Sequence, residues 1–281
     1  MRVLLAAVLA MATIASASGA APGRQIVGSE QDHSLAGIEI NDCVHFYTTT
    51  FTSFRAQTHE QEQREFALTG DKLEVTAGQE GSVTVRGWNR PDARLIICRF
   101  AASHTKAQAS RVLGSVAVSH ANGEISASGP AADINSAWWV NMILYVPRKA
   151  TLDIRATSGG VAIRNMSGNV TASATSGGIS VAQSSGRYKI STNIGGITLD
   201  RVTGNVDASS QRGAIALRLP AAAGSSVEAK IAEGGEILCT LRGCDAAQWS
   251  PNHRELRLGA GAPQIRLSTV AAPILIGPVT F

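Results

Sequence analysis

The chain has 281 residues, of which only 16% are charged and 5% aromatic, with 28 glycines. That balance suits a Gly/Ser/Thr-rich all-β protein better than an α/β enzyme. The 25 Lys and Arg stand against 21 Asp and Glu without basic runs, so nucleic acid is not a serious partner and the small basic excess is weak support for any anionic one.

The chain opens MRVLLAAVLAMATIASASGAAPG, a short basic end, an apolar run and small residues suited to cleavage after Ala17 or Ala20. This predicts a secretory signal over residues 1–20. The run is too short and alanine-rich for a membrane span, and no cysteine comes after it to take a lipid. An exported protein without stable membrane insertion is expected, whether periplasmic, cell-surface or secreted. Residues 21–70 lack any repeat and include CVHFYTTTFTSF and HEQEQREF, which read as a strand or two forming a cap over the first coil of a repeat region. The four cysteines fit two disulfides in an oxidising compartment. Cys239 and Cys244 bracket a short turn, leaving Cys43 to join Cys98. Their spacing fits no zinc finger, and no histidine stands beside them.

Residues 71–281 predict a single β-solenoid. Strand pattern begins with Leu73 and Val75, returns with Val83 and Val85, and continues in Leu95 and Ile97; 101–113 reads as a short helix. A nine-residue step then appears in Val116 and Val118 against Ile125 and Ala127. It becomes strict from Gly159 to Leu219, where Gly159, Gly168, Gly177, Gly186, Gly195, Gly204 and Gly213 each open a unit. Two residues after each glycine is an apolar residue, from Val161 to Ile215, with a second apolar or alanine column two further on. Apolar residues alternating with Ala, Ser, Thr, Lys or Asp mark a strand with one buried face. Gly159, Gly177 and Gly195 are followed by glycine, whereas Gly168, Gly186 and Gly204 are followed by Asn or Arg. The repeat is therefore an eighteen-residue coil of two strand-turn units that bury a core only against their neighbours. Calcium-binding nonapeptides are excluded, since carboxylates do not recur in register. After a break at PAAAGSS, Val227, Ala229 and Ile231 resume the pattern, and Leu256, Ile265 and Ile274 recover the step to the C-terminus.

LEVTAGQEGSVTVRGW at 73–88, LYVPRKATLDIRATSGGVAI at 144–163, the SGG and SGN turns and LRLGAGAPQIRLSTVAAPILI at 256–276 resemble a family of exported bacterial adhesin-like proteins, DUF4097-like, built from glycine-punctuated β-strand repeats. The resemblance covers roughly 70–281. It implies a β-solenoid and a surface role, and carries no catalytic residues.

The outward columns place Lys189 over Asp207 and Asp200 over Arg218, as opposite-charge ladder pairs. No two carboxylates share an outward column, so the acid-base pair of a glycosidase is not expected. The histidines, His33, His45, His59, His104, His120 and His253, are scattered, and no motif points to a metal, a cofactor or a nucleophile. The chain reads as a non-enzymatic module contacting a cell-surface or envelope polymer or protein; the alternative is a carbohydrate-active β-helix enzyme acting on an extracellular polysaccharide. In WWVNMILYV, 138–146, both faces are apolar. Counting back by nine from Leu152 puts Trp139, Asn141, Ile143 and Tyr145 inside and turns Trp138, Val140, Met142, Leu144 and Val146 outward. That outer face needs a cover: the N-terminal segment with Phe46, Phe51 and Phe54, or a partner or second copy of the chain docked on Trp138, Val140, Met142 and Leu144.

Overall fold

A computed structural model describes Cys43 and residues 54–279, apart from 69, 71, 132, 221–224 and 261–263. The expected signal, Phe46, Phe51, His33 and His45 lie outside the described residues. The ladder folds as a two-faced β-solenoid. Its strands in chain order are β1 (Ala56–Ala67), β2 (Lys72–Thr76), β3 (Val83–Trp88), β4 (Asp92–Ser103), β5 (Ala117–Ala121), β6 (Glu124–Ser128), β7 (Ser136–Pro147), β8 (Thr151–Ala156), β9 (Val161–Arg164) and β10 (Asn169–Ser176). They continue through β11 (Ile179–Ile194), β12 (Ile197–Arg212), β13 (Ile215–Leu219), β14 (Val227–Ile231), β15 (Ile237–Cys239), β16 (Gln248–Trp249), β17 (Glu255–Leu258), β18 (Ile265–Thr269) and β19 (Ile274–Pro278). The α-helix among the described residues, α1 (Lys106–Gly114), comes after β4.

The eighteen-residue coil holds residue by residue: Val170 pairs with Tyr188 and Tyr188 with Val206, while Val161 pairs with Ile179, Ile179 with Ile197 and Ile197 with Ile215. β11 and β12 each run through a corner, giving their first half to one face and their second half to the other. Between the faces the inward columns are sealed. Leu73, Leu152, Val170, Tyr188, Val206 and Ile265 face Val83, Val161, Ile179, Ile197, Ile215 and Ile274, all buried. Each such side chain contributes about 1.5 to 3 kcal/mol of burial. The Tyr188 hydroxyl, within this core, donates to the carbonyls of Met166 and Ser185 at 3.2 and 3.3 Å. Burial pushes its pKa up to about 12.

Two glycine columns result from close approach of successive coils. A Cβ on Gly177 would lie 2.2 Å from the Gly159 carbonyl oxygen, and one on Gly204 2.3 Å from that of Gly186. The remaining corner column carries no glycine at all: Asn165, Gln183 and Arg201, eighteen apart, take φ of 57°, 50° and 51°. In the coil containing Gln183 the corner is held by Ser184, whose buried hydroxyl donates to the Ala182 carbonyl at 2.7 Å and accepts from the Met166 N–H at 3.2 Å.

The coils do not stack in chain order. On one face β2 lies between β6 and β8, and on the other β3 lies between β7 and β9. The C-terminal end mirrors this, with β18 between β12 and β14 and β19 between β13 and β15. Antiparallel strands finish several edges: β5 on β6, β4 and then β1 on β7, and β17 and then β16 on β14. Two nine-residue steps therefore have other meanings than coils. Val118 and Ala127 are partners across the β5–β6 hairpin, and Leu256 lies opposite Ala229 in an antiparallel pair. The helix starts later than 101 because β4 runs on to Ser103; Thr105 caps it, accepting the Gln108 N–H at 3.2 Å. Ala109 and Leu113 of α1 are buried, and Leu113 joins the main core.

The expected orientation of β7 is reversed. Met142 pairs with Val83 and Leu144 with Val85, so Trp138, Val140, Met142 and Leu144 point into the solenoid core, where none is more than 7% exposed. They offer no docking surface. The cause is the turn after Pro147. Leu144 to Leu152 spans eight residues, whereas the equivalent steps Ile163 to Val170 and Val181 to Tyr188 span seven, and one added residue exchanges the two faces of a strand. Trp139, Asn141, Ile143 and Tyr145 are the outward set. They are nonetheless buried, in a second cluster with Ile96, Cys98, Phe100 and, from the N-terminal segment, Cys43 and Phe54. The Phe100 and Trp139 rings stack at 5.0 Å. The Cys43–Cys98 disulfide, with Cα atoms 5.6 Å apart, fastens this cover, and Cys239–Cys244 closes the C-terminal turn.

Candidate interaction surface

Stacking out of chain order also changes the charge columns. β2 lies between β6 and β8, so Glu124, Glu74 and Asp153 become register neighbours on the outer side of the first face. Three carboxylates do share an outward column, contrary to expectation. Their setting is that of an ion-pair network. Lys72 Nζ lies 2.6 Å from Glu74 and 3.3 Å from Asp153, and Arg155 lies 2.8 Å from Asp153 and 3.6 Å from Glu74. The hydrogen bond and charge of Lys72 hold Glu74 below the usual carboxylate range, which keeps it ionised and unsuited to donating a proton. Glu228 is treated alike at the other end. Burial raises its pKa, but the Arg257 hydrogen bond at 2.9 Å and the charges of Lys230 and Arg257 outweigh this, leaving it lowered.

The expected ladder pairs align in register without forming ion pairs among the described residues. Lys189 stands beside Asp207 and Asp200 beside Arg218, yet the Asp200 carboxylate turns to its neighbour Arg201 at 2.8 Å. The four described histidines each rest on an aromatic ring: His59 on Phe100, His104 on Phe54, His120 on Phe66 and His253 on Trp249. Burial, then the charge of Arg64, lowers the His120 pKa. Among the described residues no three His, Cys, Asp or Glu side chains converge as metal ligands, and no helix is long and apolar enough to cross a membrane.

The outer side of the second face differs. Alternation along β3 turns Thr84, Arg86 and Trp88 outward, and alternation along β9 turns out Ala162 and Arg164. A shallow groove of about 210 Å³ runs across these strands, bordered by Thr84, Arg86, Arg164, Ser180, Asp200 and Arg218. Outside the groove, toward β7 and β4, Trp88 and Tyr145 lie 5.4 Å apart, and the guanidinium groups of Arg90 and Arg94 sit over these rings at 4.5 and 4.4 Å. The Trp88 indole N–H donates to the Asp92 carbonyl at 2.8 Å. At the C-terminal end the exposed Leu275 and Leu238 are register partners. Sequence periodicity puts Arg164 in one outward column with Ala182, Asp200 and Arg218, but it did not join Arg86, Arg94 and Tyr145 to that column, because nothing in the chain's order announces that β3 will separate β7 from β9.

Comparison with solved structures finds distant likenesses. One is a proposed cell adhesion protein from Clostridium sporogenes, 12% identical with a TM-score of 0.43, covering 79% of this chain and 100% of that one. A proposed adhesin from Bacteroides fragilis is 10% identical with a TM-score of 0.27, covering 78% and 97%. A proposed lipid-binding protein from Parabacteroides distasonis is 7% identical with a TM-score of 0.20, covering 78% and 97%. A search of curated proteins finds no match. The family model Toastrack DUF4097 matches residues 47–249, and with the coils of paired strands this places the chain in the Toastrack DUF4097 family.

Proposed function

We propose that the protein is an exported, non-enzymatic interaction module that contacts cell-surface or envelope polymers through the outer side of its second face. The observation that carries this reading is the disposition of charge. Glu62, Glu74, Asp92, Asp153, Asp200 and Glu228 are each engaged by Lys or Arg, while the groove carries Arg86, Arg164, Arg201 and Arg218 against a single carboxylate, Asp200, which is paired with Arg201. Hydrolysis of a glycosidic bond needs one carboxyl group held protonated and a second facing the same cleft. A long, rigid, polar face is instead suited to laying a chain across it. Export is supported by the basic-apolar-small pattern of residues 1–20 and by two disulfides, which persist outside the reducing cytosol. Within this reading residues 21–70 form a cap tied to the solenoid of 71–281 through Cys43 and Cys98.

Purified mature protein applied to a glycan array and to cell-envelope extracts should retain polymer without releasing new reducing ends or unsaturated sugars. Release of either, abolished by a single Asp or Glu substitution, would establish the carbohydrate-active alternative instead.

A further inference from the structure

Arg94, Tyr145, Arg86 and Arg164 stand side by side on β4, β7, β3 and β9 as successive register partners. The same line continues over Ala182 and Asp200 to Arg218, so charged and aromatic side chains run along the solenoid axis at intervals set by the strand spacing of about 4.8 Å. The charged groups facing this line are few. Asp92 is bonded to Arg90, Glu65 lies 3.9 Å from Arg90, and Asp200 is bonded to Arg201. Arg86, Arg164 and Arg218 have no carboxylate partner among the described residues. In addition, the Nε atoms of Arg86 and Arg94 are buried with no acceptor among those residues. Buried donors are almost always satisfied.

We infer that this line binds the carboxylates of an acidic, uronate-bearing polysaccharide, an assignment that rests on the surface-binding reading above and names its ligand. The guanidinium fork matches a carboxylate with two parallel hydrogen bonds, which a lysine cannot do. At one end of the line the partly exposed Trp88 offers an apolar edge to the C–H side of a sugar ring, and Tyr145 lies buried beside it. Between them and Arg218 the floor is Ala162, Ser180, Ala182 and Thr198, small enough to admit a flat chain. Single-stranded nucleic acid fits less well, because its bases need aromatic platforms repeated along the groove, and here the rings stand at one end only.

The test is titration calorimetry on the oxidised mature protein with polygalacturonate, with neutral dextran and a thymidine oligonucleotide as the other arms. Polygalacturonate is expected to bind, more weakly as salt rises, and Arg164→Gln and Arg218→Gln are each expected to weaken it about tenfold, the value of one charge-assisted hydrogen bond. Lys189→Gln, on the first face, should leave binding unchanged. Arg218 is exposed, so its variant keeps the test valid if Arg164→Gln fails to fold. No binding of polygalacturonate, equal binding of the oligonucleotide, or indifference to both arginine variants overturns the inference. Dextran bound in place of polygalacturonate overturns it too while leaving the surface-binding reading intact. Release of reducing ends strikes that reading and not this site.

Discussion

Gly177→Ala should destabilise the protein severely while Gly178→Ala, one residue away, should not. A Cβ at 177 would stand 2.2 Å from the Gly159 oxygen and 2.7 Å from its carbon, against an ordinary contact of 3.4 Å or more. The obstacle is backbone and cannot swing aside. Relief requires opening the two coils by about 1.2 Å, a quarter of the ~4.8 Å strand spacing. Overpacking of this kind costs about 3 kcal/mol at the upper end of its range. Opening these two coils also strains the Ser176 N–H bond to the Thr157 carbonyl at 2.7 Å, which crosses the same gap and is worth about 1 kcal/mol. At 178 the nearest atom to a Cβ is the Gly196 oxygen at 3.4 Å, so alanine there gains about 0.4 to 1 kcal/mol by restricting the unfolded chain. For a chain of this size 1 kcal/mol moves the melting temperature by about 2 to 4 °C. Calorimetry should therefore place Gly177→Ala at least about 8 °C below wild type, and Gly178→Ala at or slightly above it. Equal melting temperatures for the two variants would refute the close-approach argument.

The inward and outward columns can be tested in β10. Ala172→Asp buries an unpaired charge between Ile154 and Ile190 and should cost several kcal/mol in chemical denaturation, with Ser173→Asp nearly neutral. The reversed register of β7 predicts that Leu144→Ala, which empties a fully buried site, loses about 2 to 5 kcal/mol; a neutral result would restore the outward assignment. Unreduced protein should take up no thiol alkylating reagent, and peptide mapping should recover Cys43 with Cys98 and Cys239 with Cys244; a peptide joining Cys98 to Cys239 contradicts the fold. The lowered pKa of Glu228 contributes stability above the unfolded carboxylate value of about 4.3 that is lost as pH falls through the lower folded value. Melting temperatures at pH 6 and pH 3 should thus differ less in Glu228→Gln than in wild type, and an undiminished difference would show the ion-pair cluster to be energetically idle.

Repetition made the centre of the molecule legible in the sequence. Between Gly159 and Leu219 every coil is built like the last, so spacing alone predicted strands, faces and register, and the even cysteine count with one short bracket predicted both bridges. What escaped was set by partners distant in the chain. The β7 register hinges on one additional residue near Arg148 and Lys149, a difference that a count from Leu152 could not detect. Steps of nine at Val118 and Leu256 came from antiparallel pairings that happen to share the ladder's spacing. The corner formed by Asn165, Gln183 and Arg201 was silent because its left-handed backbone is occupied by residues other than glycine. Arg164 to Arg218 form a column that the eighteen-residue period shows, but its continuation through Arg86, Tyr145 and Arg94 was hidden for the same reason as the Glu74 and Asp153 pair: it exists only once β2 and β3 have entered between strands made later.

That interleaving governs the order in which the molecule can be completed. A solenoid whose coils stacked in sequence could grow by adding each new turn to the last as the chain emerged. Here the coils from β8 to β13 can zip in that manner, but neither terminus can. β2 and β3 have no sheet neighbour until the next fifty or so residues have returned as β6 and β7, and they gain their second only with β8 and β9. At the other end, β14 and β15 pair through β18 and β19, the last strands made. A chain stopped at Ser250 would leave a gap inside the stack, with Val206 and Ile215 on one side and Val227 and Ile237 on the other stripped of cover. The final coil is a keystone: losing it exposes two core surfaces, where losing the end turn of an ordinary solenoid exposes one.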